Sequence, residues 1–315
     1  MNKPSTLAWI LYDFANSAYT TLVVTFVFAT YFVKTLAPDP VTGTALWSRG
    51  ITVTALAVAL LSPVLGALAD RGGRQRYLTA ATLLSAGLTG LLYFIPETEL
   101  TAVLICFILS NIAFELANVF YNAFLPDLAP KTRMGTLSGL GWGLGYIGGL
   151  AAMFIAMAGF ISPETPWFGL TRDGGQNIRA TNLLVAAWFV LFSLPLLFRA
   201  GRIRPRKPES RPISPVQALG EIRATAGQIK AYKDICWLLI ARLFYNDGLI
   251  TIFAFGGIYA AGTFHFTFKE IMIFGIVLNI CAGAGALVMG IADDRMGGKK
   301  TIQLSNIVLS LAVVM

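Results

Sequence analysis

The chain has 315 residues, of which 56% are hydrophobic and only 13% charged, and its mean hydropathy is +0.69. A soluble domain carries roughly 25% charged residues, so the composition excludes an ordinary soluble protein and points to one built largely inside a bilayer. The formal charge of +8 would suit a nucleic-acid binder in a soluble chain. Here it sits almost wholly in the segments between apolar runs, and nucleic acid is not expected as a partner.

A membrane span takes about 20 mostly apolar residues. The first such run covers 7–33. Its leader, MNKPSTL, is too short for a removable signal peptide and lacks a small-residue cleavage site, so the run itself is expected to act as a signal anchor. Within it Asp13, Asn16 and Thr20 are spaced three and four apart and share one helix face, with Tyr12 and Tyr19 beside them. The second run, 48–69, leads into a charged loop, GALADRGGRQR, which holds Gly66, Asp70, Arg71, Gly73 and Arg74. The third run is 77–95. The fourth, 100–125, carries Asn111, Glu115, Asn118 and Asn122 at spacings of four, three and four, a continuous polar stripe. A charge in hydrocarbon costs a few kcal/mol or more, and Glu115 lies about ten residues from the nearer end, so it marks a functional position.

The fifth run, 136–160, is dense in glycine, with Gly141, Gly145 and Gly149 four apart. Small residues at that spacing let helix backbones approach closely in lipid. Gly143, Gly145 and Gly148 also spell GxGxxG, but no strand precedes them, so a dinucleotide site is excluded. An outer loop follows, whose Trp167 and Phe168 suit an interface, and then the sixth run, 180–198. Residues 199–233 form a basic linker. Its first half is rich in Pro and Arg and reads as extended. Its second half has Val216, Leu219, Ile222 and Ile229 at near-helical spacing, compatible with an amphipathic surface helix, although a solvated connector between two bundles is the preferred reading. The seventh run, 235–261, holds Arg242, Tyr245 and Asn246, with Asp247 and Thr251 adjacent. The eighth, 270–292, has Ala282, Ala286 and Gly290 four apart. It runs into GIADDRMGGKK, with Gly290, Asp294 and Arg295, a second copy of the loop at Gly66. A ninth run starts near Ile302 and reaches Met315 after about 14 residues, short of a span, so a truncated chain is expected. The repeated loop implies two related halves in parallel orientation, as in a large group of secondary transporters.

Assigning the connecting segments alternately to two sides places most of the 24 Lys and Arg on one of them. The other side holds Lys34, Arg49, Arg172, Arg179 and Lys269. By the positive-inside rule the N-terminus and the linker are expected in the cytoplasm. Cys106, Cys236 and Cys281 are scattered without a CxxC pair and read as small hydrophobes. His265, at an outer helix end, reads as interfacial. With no GxxxxGK[ST], no metal cluster and no nucleophile–base pair in the sequence, neither ATP hydrolysis nor another enzyme activity is expected, and no cofactor.

The opening WILYDFANSAY, the segments FYNAFLPDLAP and GLGWGLGYIGG, and the two charged loops resemble the major facilitator superfamily. Within it they are similar to the branch of fungal vacuole effluxers linked to autophagy and their bacterial relatives. The resemblance implies an all-α membrane fold of two six-helix bundles, with the first, fourth, seventh and tenth helices lining a central cavity. The chain then divides into a first bundle at 1–198, the linker at 199–233 and the start of a second bundle at 234–315. Where many proton-coupled relatives place an arginine on the fourth helix, this chain has Glu115. The reading reached is a secondary transporter of a small polar or zwitterionic, amino-acid-like solute. An exporter of apolar compounds and a non-transporting receptor or scaffold are the alternatives. The expected cavity residues are Asp13, Asn16, Glu115, Asn118, Asn122, Arg242, Asn246 and Asp247, and both loops are expected to gate. Expected partners are the solute, membrane lipid and, as an open option, a coupling proton. A monomer in a bacterial inner membrane is expected.

Overall fold

The computed structural model describes residues 3–203, 214–228, 232–263 and 268–314. Hydrocarbon offers the backbone no hydrogen-bond partners, so so apolar a chain must satisfy its amides within each segment. Among the described residues every regular element is accordingly helical. Helix α1 spans Lys3–Leu36. It is α-helical over Lys3–Ala18 and widens to π-helix over Tyr19–Phe26 and again over Phe32–Leu36. Helix α2 is Pro40–Gly72, and Asp39 caps it by accepting from the amides of Val41 and Thr42, both at 3.0 Å. The Thr42 hydroxyl adds a 2.6 Å bond, and together these hold the exposed Asp39 carboxyl below its usual range.

Next come α3 (Arg74–Leu91), α4 (Leu100–Asn122), α5 (Met134–Ala156) and α6 (Gln176–Arg199). A surface helix, Pro215–Gly227, packs on α2. Ser214 and Gln217 bond reciprocally at its start, each side chain to the other's amide, which is a capping box. The amphipathic element read from sequence is thus shorter than its pattern, and Ile229 lies outside the described residues, as does His265. Val216 and Leu219 are exposed on this helix. The chain continues with α7 (Lys233–Thr263), α8 (Phe268–Met296) and α9 (Gly298–Val314). Among the described residues six helices are long and apolar enough to cross a membrane.

Helix α1 packs against α5 and α6, α3 against α4 and α6, and α2 against α4, while α8 lies along α5 and carries α7 and α9. Aromatic rings knit the first six helices. Tyr121 is sandwiched between Trp9 (4.5 Å) and Tyr12 (4.7 Å), and Tyr19 stacks on Phe114 at 4.3 Å. Such pairs contribute about 0.5–1.5 kcal/mol each beyond burial. Lipid tails are as apolar as leucine, so close packing and hydrogen bonds hold the helices together instead. Tyr12 bonds Thr82 at 2.7 Å, and Tyr19, Ser110 and Thr89 form a chain of two 2.9 Å bonds, all buried. The internal repeat is visible in the backbone. Gly73 (φ 89°) and Gly297 (φ 84°) hold the same position in the two loop copies, in a region glycine enters at little cost.

Candidate functional site

Helical spacing puts Asp13, Asn16 and Thr20 on one face of α1, and packing decides what that face meets. The Asn16 side-chain amide donates to Asp13 Oδ1 at 3.3 Å and to Asn118 Oδ1 of α4 at 3.0 Å. Asn122 extends the layer by donating to the Asn118 carbonyl at 2.9 Å. Glu115, about one turn from Asn118 along α4, is exposed, as is Thr20. Asp13 is half-buried. The buried Tyr121 hydroxyl sits beside its carboxylate and makes no hydrogen bond of standard geometry. The third wall is α5, where a Cβ on Gly141 would come within 2.5 Å of Asp13 Oδ2. Among the described residues no lysine or arginine pairs with Asp13 or Glu115. Carboxylates with only neutral partners at bilayer depth are suited to receiving a cation or a proton.

Helix α5 is bounded by two glycine faces. Gly141, Gly145, Gly148 and Gly149 lie against α1, where added Cβ atoms would meet Asp13, Ser17, the Phe14 carbonyl and Thr21. Gly135, Gly139 and Gly143 lie against α8, where they would meet the Gly290 carbonyl, the Ala286 carbonyl and Leu287. The stripes expected at Gly141, Gly145 and Gly149 and at Ala286 and Gly290 are both real packing surfaces, but they serve different interfaces. Between the two faces α5 presents Trp142 and Tyr146, and the opposite arc carries the exposed apolar Leu140, Ile147 and Phe154.

Both charged loops make specific contacts. In the first, Arg74 donates to Asp70 (2.9 Å), to Asp127 in the short helical turn Leu125–Leu128 that follows α4 (2.6 Å) and to the Ala123 carbonyl (2.8 Å). Gly66 is in the last turns of α2, and Arg71 beside Asp70 is partly buried. In the second loop Asp294 caps α5 across the interface, accepting from the amides of Gly135 and Thr136 at 2.8 Å each. Arg295 is exposed. The seventh-helix residues are not brought to Asp13 and Glu115. Among the described residues helix α7 touches α8 and is not packed against α1 or α4, and Arg242, Asn246 and Asp247 are exposed.

Sequence reasoning missed Asp127, Tyr121, Trp142 and Tyr146. Asp127 and Tyr121 carry no local signal, because their roles depend on which helices adjoin. Trp142 and Tyr146 do carry one, two aromatics four apart inside a glycine run.

The comparisons with known proteins agree with this architecture. The family described as Vacuole effluxer Atg22 like matches residues 40–315. The uncharacterized MFS-type transporter YxiO of Bacillus subtilis is 28% identical over 312 residues, 98% of this chain and 72% of that protein. Autophagy-related protein 22 of Eremothecium gossypii is 24% identical over 202 residues, 57% of this chain and 38% of that one. Among solved structures, the proton:xylose symporter XylE bound to 6-bromo-6-deoxy-D-glucose aligns at a TM-score of 0.61 and 12% identity. That match covers 92% of this chain and 69% of the other, and it is a likeness of fold.

Proposed function

Because this chain belongs to the Atg22-like vacuole effluxer family of major facilitator transporters, we propose that it is a secondary active transporter of a small polar or zwitterionic, amino-acid-like solute. The observation that carries the reading is the layer Asp13–Asn16–Asn118, a hydrogen-bonded polar seam within two membrane helices and flanked by Glu115 and Asn122. Such polarity is costly at bilayer depth and marks a solute or ion pathway. Asp13 and Glu115 supply negative charge for an ammonium group or a coupling proton. Arg242, Asn246 and Asp247 complete the opposite wall as the second bundle closes toward the first.

Transport then proceeds by rocking of a first bundle (1–198) against a second that begins at 234, joined by the linker at 199–233. The two loops gate the end of the molecule that carries them, and the excess of basic residues at that end supports a cytoplasmic position, in a membrane proposed to be a bacterial inner membrane. Asp294 on the α5 amides is a clasp between the halves that must release when this end opens, and a helix cap of this kind is worth about 0.5–2 kcal/mol. Arg74, tied to Asp70 and Asp127, fixes the ends of α2, α3 and α4 as one unit that moves together, with Arg71, Gly73 and Gly66 shaping the turn. A monomer suffices for this cycle.

Uptake of labelled amino acids into proteoliposomes, with and without an imposed proton gradient, tests the reading. Saturable uptake that falls at least tenfold in Asp13→Asn is expected. Uptake of apolar dyes in place of amino acids, with Asp13→Asn behaving as wild type, would replace the polar solute with an apolar one.

A further inference from the structure

We propose that Trp142, with Tyr146 beside it, is an aromatic wall of the solute site and makes the site selective for solutes bearing an ammonium group. This rests on the cavity reading above. The position of Trp142 is fixed by its neighbours on both sides. Gly141 and Gly145 are against α1, Gly139 and Gly143 are against α8, and Trp142 lies on the arc between those two faces. Asp13 is at the same height, because its carboxylate adjoins the Gly141 backbone. The arc that faces away from these contacts is apolar and aliphatic or phenyl, with Leu140, Ile147 and Phe154 exposed. The lipid face of α5 is therefore accounted for without Trp142.

Three further features set this tryptophan apart. It is eight residues into α5, about 12 Å along the axis at 1.5 Å per residue, whereas membrane tryptophans concentrate at the interfaces. The buried indole of α1 and the half-buried indole of α6 spend their N–H groups on carbonyls, Trp9 on Tyr121 at 3.1 Å and Trp188 on Phe14 at 3.2 Å. Among the described residues the Trp142 indole has no such acceptor, and it is 60% exposed. Tyr146 is half-buried, seated against Gly283 of α8, and its ring centre lies 6.3 Å from that of Trp142 at an interplanar angle of 48°. The two rings meet at that angle on the arc of α5 between its α1 and α8 faces, beside the helix that carries Asp13.

The chemistry of such a corner is specific. Aromatic faces attract cations, tryptophan most strongly, and the adjoining helices hold Asp13 and Glu115 with no basic side chain paired to either among the described residues. A neutral polyol or an apolar solute would leave the carboxylates uncompensated. A primary to quaternary ammonium satisfies both walls.

The test is equilibrium binding to the purified full chain of four probes: choline, L-lysine, L-leucine and D-xylose. Choline and lysine are expected to bind and xylose not to. Trp142→Leu should weaken choline and lysine about tenfold, while Trp142→Phe, with an unchanged melting temperature, should retain most of the affinity. If Trp142→Leu binds choline and lysine as wild type does while Asp13→Asn does not, the aromatic wall is wrong and the cavity stands. Tighter binding of xylose than of choline and lysine, or no binding of either ammonium probe at millimolar concentration, overturns the ammonium preference. Binding of every probe indifferent to both Asp13→Asn and Trp142→Leu removes the cavity reading as well.

Discussion

Replacing Gly139 by alanine adds one methyl group where the backbones of α5 and α8 touch. The new Cβ would press on the Ala286 carbonyl oxygen of α8, with the Ala286 carbonyl carbon at 3.2 Å and Gly290 Cα at 3.3 Å. All three are backbone atoms, so no side chain can turn aside, and the helices must separate. Overpacking of this kind costs about 1–3 kcal/mol, against which the helical preference of alanine over glycine returns about 1 kcal/mol. Gly87→Ala in α3 is the matched control. No atom lies within 4 Å of its Cβ position, so it keeps the propensity gain and pays no clash. The two variants should differ by about 1–3 kcal/mol, with Gly139→Ala melting several degrees below Gly87→Ala in detergent. Gly290→Ala, which presses on the Gly135 carbonyl from the other side, should behave like Gly139→Ala. A Gly139→Ala protein that melts with or above the control would refute the backbone-to-backbone packing of α5 on α8.

Asp294→Ala removes both acceptors from the first turn of α5, a change of about 0.5–2 kcal/mol. It should speed labelling of a cysteine at Ser138 by an impermeant thiol reagent about 2- to 30-fold, and an unchanged rate would show that the cap is no clasp. If Glu115 carries a coupling proton, Glu115→Gln should abolish proton-driven accumulation and leave solute exchange intact. Unaltered pH dependence of transport in both Glu115→Gln and Asp13→Asn would remove these residues from coupling. A cysteine at Ser210 should stay unlabelled by an impermeant reagent added to intact cells, and labelling from outside would invert the topology.

The helices were legible because each is an apolar run bounded by charge or turn residues, and helices follow those runs in order, although among the described residues six of them, without the runs at 77–95 and 235–261, are long and apolar enough to cross a membrane. The polar faces of α1 and α4 were legible from spacings of three and four alone. Their union was not, since the bond from Asn16 to Asn118 joins residues 102 apart and depends on the adjacency of α1 and α4. The charged loops show the same limit. Their composition identifies a turn and their repetition identifies two halves, yet the two aspartates at equivalent positions do different work. Asp70 pairs with Arg74 four residues on, across the turn at Gly73, whereas Asp294 reaches the first turn of α5. In α5 the stripe at Gly141 was visible. A second stripe at Gly135, Gly139 and Gly143, offset by two residues, was hidden by the density of glycine around it. The two aromatics between the stripes were passed over for the same reason. The widening of α1 to π-helix at Tyr19 has no counterpart in its apolar pattern, because an extra residue in a turn leaves the composition unchanged.

The central claim is that the polar layer of α1 and α4 lines a water-filled cavity rather than a packed helix contact. Cysteine accessibility tests it most directly. With Cys106, Cys236 and Cys281 replaced by serine, single cysteines at Thr20, Glu115 and Ile147 are exposed to a membrane-impermeant thiol reagent in the bilayer. The account predicts rapid labelling at Thr20 and Glu115 and little at Ile147, which faces lipid. Thr20 and Glu115 cysteines as unreactive as that at Ile147 would contradict it.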